Sequence, residues 1–296
     1  MKKLLITGGT GFIGGAVIDI LLEKGYEIHL ISSKKQEQKE GIINHQLDLL
    51  DSTKLSEFFA KNSFESAIHL AWYVASNYQE NDENLNWLIA TLNFIKLFQK
   101  SGGKKFLAAG SVLEYDLSHG YLSEDLSPVN ASSLYASSKT ALYKVLGAYC
   151  KKYNIDFKWA RIFNVYGPFE KSQRLMPSVI ISCLKGENVK VSKCLKFQDY
   201  LYVSDMASGI VALFESDYNG AMNICSNQPV QLRFIVEKIA ELTNFKGEIL
   251  YGKMPENFSA NLIIGDNQKL LNLGWEAKVS LELGLEKTIK WWKDNI

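Results

Sequence analysis

Residues 7–15, TGGTGFIGG, follow the apolar run KKLLI and precede a stretch with helical spacing. Gly8, Gly11 and Gly14 therefore fall where a strand ends and a helix begins. A tight turn there presents backbone N–H groups at the positive end of the helix, and the missing side chains let an anion come close. A pyrophosphate suits such a turn, so the junction predicts a dinucleotide-binding loop, with Phe12 and Ile13 counted among its residues. The alternative is a glycine-rich turn with no ligand. Because the spacing is Gly-x-x-Gly-x-x-Gly, not the tighter fingerprint with one residue between the first two glycines, the flanking strand and helix carry the argument.

The rest of the chain agrees with that reading. Short apolar runs at 3–6, 27–31, 42–47, 66–70, 105–109 and 157–161 read as strands, and most are separated by enough chain for a crossover helix. At 13–24, Val17, Ile20, Leu21 and Leu22 form an apolar face that Gly25 closes. This rhythm predicts an α/β fold, a Rossmann-type doubly wound parallel sheet. Beyond about residue 162 the rhythm becomes irregular, with helices expected at 174–185, 204–215, 231–243 and 280–293 and short strands near 189–191, 200–203 and 221–225. The expected organisation is a dinucleotide-binding domain over 1–165 plus about 200–228, and a smaller C-terminal α/β substrate lobe over 166–199 and 229–296.

Composition removes several function classes. Against 33 Lys and Arg stand 32 Asp and Glu, which leaves no single-sign field to favour nucleic acid or an anionic membrane. The glycine run breaks the apolar N-terminal segment, which resembles neither a signal peptide nor a membrane span, so a cytoplasmic location is expected. The four cysteines, Cys150, Cys183, Cys194 and Cys225, are scattered without metal-ligand spacing. They read as reduced thiols in or near the core, and no metal site is expected.

An acidic residue ending the second strand would hold the adenosine ribose of NAD, but the sequence there is HLISSKK. Ser32, Ser33 and Lys34 offer hydroxyl and ammonium donors for a 2′-phosphate instead, so NADP is preferred to NAD. A solvated turn is the plain alternative. Asp48, with Leu49 beside it, ends the third strand and suits the adenine amino group; equally, Asp48 or Asp51 caps the next helix.

Chemistry enters at LYASSKTALYKVL. Tyr135 and Lys139 lie four positions apart, on one helical face. A phenol of reference pKa about 10 exchanges protons poorly at neutral pH, and a neighbouring ammonium lowers it. Ser111 directly follows the fifth strand, at the end of the sheet where such folds bind ligands.

TGGTGFIG, DLLD (48–51), HLA (69–71), GSVLEY (110–115), YASSK (135–139), RIFNVYGP (161–168) and QDYLYVSD (198–205) together resemble the ordered landmarks of extended short-chain dehydrogenases/reductases acting on nucleotide sugars as epimerases, dehydratases and 4-ketoreductases. The resemblance implies Tyr135 as acid/base, Lys139 at the nicotinamide ribose, and Ser111 on the reacting sugar oxygen. Leu70 and Ala71 would line the middle of the cofactor and Phe163 the nicotinamide. Asn164 and Arg174 would contact the sugar diphosphate. Gln198 stands where the family places an arginine, with Lys196 or Arg233 as replacements for the lost charge. Val112 and Leu113 occupy the positions of the dehydratases' acidic pair, and Glu114 comes one step late, which disfavours elimination. The substrate implied is a nucleotide-diphosphate sugar, and the helices near 84–101 and 132–152 resemble those through which relatives form homodimers. An NADPH-dependent 4-ketoreductase is the favoured reading, ahead of a 4-epimerase and of a non-catalytic dinucleotide-binding regulator. His69 is expected to be structural, Arg161 to pair with a buried carboxylate, and Trp72 and Tyr73 to shape the sugar pocket.

Overall fold

The computed structural model describes residues 2–75, 77–256 and 260–296. In chain order the elements begin with β1 (Lys2–Thr7), α1 (Phe12–Glu23), β2 (Tyr26–Ser32), β3 (Ile42–Gln46), α2 (Ser52–Lys61), β4 (Ser66–His69), α3 (Glu83–Lys100) and β5 (Lys105–Ser111). There follow β6 (Tyr121–Leu122), α4 (Leu134–Lys152), β7 (Asp156–Ile162), β8 (Asn164–Tyr166), α5 (Leu175–Lys185), β9 (Val189–Lys190), β10 (Phe197–Tyr202) and α6 (Val203–Glu215). The chain ends with β11 (Gly220–Ile224), β12 (Pro229–Gln231), α7 (Leu232–Leu242), β13 (Ile249–Leu250), β14 (Leu262–Gly265), α8 (Gln268–Leu271) and α9 (Leu281–Lys293).

The chain divides into two compact units. The first comprises Met1–Asp116, Pro128–Ile162 and Ala207–Met222. Its sheet has seven strands in the order β11-β7-β5-β4-β1-β2-β3, and β1, β2, β3, β4, β5 and β7 pair in parallel. The first six strands expected from the sequence are present; the central ones are covered on both faces and so read as almost unbroken apolar runs, with Leu4, Leu5 and Ile6 fully buried, while β3, at the sheet edge, has no fully buried residue. Strand order reverses between β1 and β4, and in such sheets the crevice at that reversal binds the ligand. On one side Phe94, Phe98, Phe106, Phe157 and Trp159 form a chain of ring contacts with centroids 5.9–6.4 Å apart.

Two local details differ from expectation. The buried face of α1 is Gly14, Val17, Ile18 and Leu21, with Ile20 and Leu22 only half-buried. The i, i+3, i+4, i+7 series starting at Gly14 explains the rotation, since the glycine is the point of closest approach. Lys158, one of three charged residues in β7, has no exposed side-chain surface and is accommodated by bonds from Nζ to Asp156 Oδ1 (2.6 Å) and the Tyr218 carbonyl (2.7 Å).

The second unit comprises Leu117–Ser127, Phe163–Met206 and Asn223–Ile296. The boundaries thus differ from the expected division. Segment 117–127 belongs here because β6 pairs with β14, and 163–165 and 200–206 belong here because β8 pairs with β10 through Asn164↔Tyr200 to Tyr166↔Tyr202. Its main sheet runs β12-β10-β14-β6, and β9 pairs with β13. Helix α7 buries Leu232, Ile235, Val236 and Ile239, and α9 buries Leu285, Ile289 and Trp292. Trp291 stays half-buried beside Trp292. All four cysteines are free and buried. Among the described residues, no helix is long and apolar enough to cross a membrane.

Candidate functional site

In the first unit the glycine loop leaves β1 and enters α1 with Gly11 as N-cap. Gly8 has φ +75°, and a Cβ placed there would lie 2.5 Å from the Ala71 backbone nitrogen and 2.6 Å from the Leu70 carbonyl carbon. A Cβ on Gly14 would strike the Gly8 carbonyl oxygen and come within 2.7 Å of the Gly9 Cα. These contacts bring the expected loop residues together with Leu70 and Ala71 at the β1/β4 reversal. No side chain caps α1 and its first turn carries no acid, so its leading N–H groups, including those of Phe12 and Ile13, lack a side-chain acceptor. A diphosphate fits this cradle, which has both the required donors and the required bareness.

At the end of β2, Ser32 Oγ accepts from the Lys34 backbone N–H (3.2 Å) and donates to the Lys34 carbonyl (2.9 Å), closing a turn that leaves Ser33 and Lys34 exposed. Asp48 Oδ1 accepts from the Leu50 N–H (3.0 Å), with Leu49 buried beside it, while Asp51 caps α2 through the Lys54 N–H. His69 is held between Thr7 Oγ1 (2.8 Å to Nδ1) and Thr91 Oγ1 (3.0 Å to Nε2). The Thr91 hydroxyl donates to the Trp87 carbonyl, so it accepts from His69 Nε2–H, which leaves Nδ1 to accept from Thr7. Burial, assisted by the Lys139 charge, pushes His69 down to about 3 and keeps it neutral. It is the structural histidine expected.

Helix α4 begins at its Ser133 cap, which places Tyr135 and Lys139 on a buried face. Lys139, 3% exposed, donates from Nζ to the Ala109 carbonyl (2.8 Å) and sits 3.8 Å above the Trp72 ring and 5.9 Å from the Tyr135 ring. Burial pulls its pKa down to about 7, against the opposing pull of Glu114. Trp72 in turn contacts Tyr135 edge-to-face at 6.4 Å and is anchored by Nε1–H to Asn84 Oδ1 (2.9 Å). Its role as a cation–π platform is one that sequence reasoning missed, having assigned it to the sugar pocket.

Ser111 and Glu114 form a capping box: Ser111 Oγ accepts from the Leu113 N–H (3.2 Å), and Glu114 Oε1 accepts from the Ser111 N–H (2.7 Å). Fully buried, Glu114 also accepts from Trp159 Nε1 (2.9 Å) and Arg161 Nε (3.1 Å), while Arg161 donates to Tyr115 Oη (3.0 Å). Arg161 is therefore the partner of a buried carboxylate. Glu114, engaged by three donors, holds the Ser111 backbone in place. Ser-x-x-Glu at 111–114 was a readable local signal for that box.

The second unit holds the remaining expected residues. Phe163 is buried beside Gly265, and its N–H donates to the Ile224 carbonyl (3.2 Å). Asn164 donates its amide to the Asp199 carbonyl (3.1 Å), so that side-chain donor serves the fold. Asp199 itself is fully buried and accepts from the Ser226 N–H (2.8 Å), Ser226 Oγ (2.6 Å), the Asn227 N–H (2.8 Å) and the Gly265 N–H (3.2 Å). Gln198 is buried in β10. Lys196 pairs with Glu256 at 3.2 Å, and Arg233 lies 4.0 Å over Tyr251 with Nε 3.5 Å from Glu237. Arg174, the N-cap residue of α5, keeps 56% of its side chain exposed.

Comparison with known proteins bears on the family and the fold. The sequence profile of the NAD dependent epimerase/dehydratase family matches residues 4–225. A putative UDP-glucose 4-epimerase of Methanocaldococcus jannaschii is 27% identical over 308 residues, covering 99% of both chains. UDP-glucuronic acid decarboxylase 1 of Xenopus tropicalis is 27% identical over 309 residues, covering 100% of this chain and 73% of its own. The crystal structure of UDP-glucose 4-epimerase from Thermotoga maritima shares the fold with a TM-score of 0.87 at 23% identity, covering 99% of each chain.

Proposed function

Because the chain belongs to the NAD dependent epimerase/dehydratase family, we propose that this enzyme carries out hydride transfer at ring carbon 4 of a sugar linked to a nucleoside diphosphate, its net reaction being NADPH-dependent reduction of a 4-keto-6-deoxy sugar. The observation that carries the reading is the Tyr135–Lys139 pair, supported by Trp72 and the Ala109 carbonyl at the carboxyl end of β5. The bound nicotinamide supplies the hydride. Tyr135 Oη gives its proton to the sugar oxygen as the ketone is reduced, and Lys139, while protonated, favours the resulting phenolate. Ser111 Oγ uses a lone pair to accept from Leu113, which leaves its hydrogen to steady the developing alkoxide.

The loop from Gly8 to Gly14, with Leu70 and Ala71, would hold the dinucleotide diphosphate, and exposed Ser33 and Lys34 support the preference for a 2′-phosphate. Val112 and Leu113, with Glu114 committed to Arg161, leave no acid to drive dehydration at those positions. Among Asn164, Arg174, Lys196 and Gln198, Arg174 is our choice for the substrate diphosphate, because its guanidinium is the most exposed cation of the set. Exposed Leu85 and Ile89 on α3 and Val145 on α4 support a homodimer through these helices. Four reduced thiols suit the cytoplasm.

A second reading, nucleotide-sugar 4-epimerase, is favoured by the end-to-end match to the Methanocaldococcus protein. The same groups would then serve oxidation followed by reduction from the other face, with no net use of cofactor. Absorbance of added NADPH and NADH is followed against UDP-, GDP-, CDP- and dTDP-linked 4-keto sugars. Stoichiometric loss of NADPH supports the reductase, and isomerisation of the corresponding hexoses without such loss supports the epimerase. Tyr135→Phe is expected to lower kcat roughly 10²- to 10⁴-fold with cofactor affinity retained, the range for a lost proton-transfer group. Unchanged kcat would remove Tyr135 from the mechanism.

A further inference from the structure

We propose that Glu170 is a binding residue for the substrate diphosphate: neutral, it donates a hydrogen bond to a phosphoryl oxygen beside Arg174, and ionised, it repels the same anion. The inference rests on the reading that the substrate is a nucleoside-diphosphate sugar.

The local backbone is the first argument. Phe169 has φ 69°, a left-handed conformation that is costly for a bulky side chain, and the residue is 71% exposed, with its ring 4.9 Å from that of Trp291. The adjacent Glu170 is only 8% exposed. Thus an aromatic side chain lies largely at the surface, on a strained backbone, next to a carboxyl group that is buried.

The second argument is what that carboxyl group lacks. Glu170 Oε2 is buried with no hydrogen-bond partner among the described residues, and Oε1 is 3.9 Å from Arg174 Nε, beyond hydrogen-bonding distance. Tyr200 on β10 faces both Glu170 and Arg174, and behind it Cys194, in the segment before β10, lies within reach of the charges of Glu256 and Arg233. Burial pushes Glu170 up to about 8, outweighing Arg174 and the Gly167 backbone, which pull it down. At neutral pH the group is mostly a carboxylic acid, whose O–H needs an acceptor. Arg174, four positions on at the N-cap of α5, is 56% exposed and stands 3.9 Å from Glu170, which leaves its guanidinium able to meet an anion. A diphosphate satisfies both, accepting from the acid and from the guanidinium at once.

The proton dependence follows by linkage. If the bound anion excludes ionised Glu170, affinity holds below the pKa and is lost as pH rises through it, becoming about tenfold weaker at pH 9 than at pH 7. UDP-glucose, GDP-mannose, CDP-glucose and dTDP-glucose serve as probes of binding, and the pH comparison is made with CDP-glucose where it binds, because its diphosphate diester and its cytosine both keep constant charge over that range, whereas uracil, guanine and thymine begin to lose a ring proton near pH 9. Titration calorimetry of the full chain with whichever binds is expected to give this tenfold loss. Glu170→Gln, which mimics the neutral acid, is expected to bind as the wild type does at pH 7 and to lose the pH dependence. Arg174→Gln is expected to bind more weakly at pH 7 and pH 9 alike. A wild-type affinity that is flat with pH overturns the role of Glu170 while leaving the nucleotide-sugar reading intact, and it does so even if the Gln variant fails to fold. Failure of the wild type to bind any of the four overturns both.

Discussion

Lys139→Met replaces a buried ammonium with an apolar side chain of similar length, and its effect on stability can be worked from the environment already described. Burial pulls the folded pKa down to about 7, against 10.5 for a lysine in water. A tenfold change in proton affinity corresponds to about 1.4 kcal/mol, so the charged form weakens the fold by about 5 kcal/mol. Because the folded pKa is depressed, the folded chain binds fewer protons than the unfolded chain between about pH 7 and 10.5. The penalty is therefore complete below pH 7 and fades as pH rises toward 10.5. Methionine has no such penalty. The stability of Lys139→Met relative to wild type, from urea denaturation, is expected to be highest near pH 6 and to fall by about 3 kcal/mol by pH 9. Subtracting the two curves removes the titration of Lys158 and of the other groups the two proteins share. The variant is expected to be inactive throughout, so stability and activity move in opposite directions at this position. A difference curve flat with pH would refute the reasoning, since it would mean that Lys139 is as well solvated in the fold as in the unfolded chain.

Glu114→Gln leaves Arg161 buried without its counterion and is expected to cost about 3–5 kcal/mol, read as a lower urea midpoint. Adding Arg161→Met should recover part of that loss, and complete additivity would argue against the pair. Gly14→Ala drives a methyl group into the Gly8 carbonyl, and fluorescence titration should show NADPH and NADH affinity reduced at least about tenfold, because the loop must shift for the chain to fold at all. Ser32→Asp adds the carboxylate missing at the end of β2 and is expected to shift the ratio of kcat/KM toward NADH, with an unchanged ratio counting against 2′-phosphate recognition there.

What the sequence by itself determined is local and periodic. Buried parallel strands are largely continuous apolar runs, so the central strands and the glycine turn between β1 and α1 could be read without any partner, whereas the edge strand β3, IINHQ, showed only its two isoleucines. Tyr135 and Lys139 share a face because the helical repeat puts them there. The Ser111–Glu114 box is equally local, since it closes within four residues. Tertiary structure decided which charges are buried and what answers them. Arg161 reaches Glu114 across 47 positions of sequence, Asp199 draws its donors from 27 to 66 positions away, and the potential at Lys139 depends on Trp72 and the Ala109 carbonyl. The boundaries of the second unit also waited on strand pairing, because β6 is two residues whose partner, β14, lies far along the chain. Periodicity is set by neighbouring bonds and is legible in one dimension; desolvation and charge compensation are set by whatever the fold brings within a few ångströms.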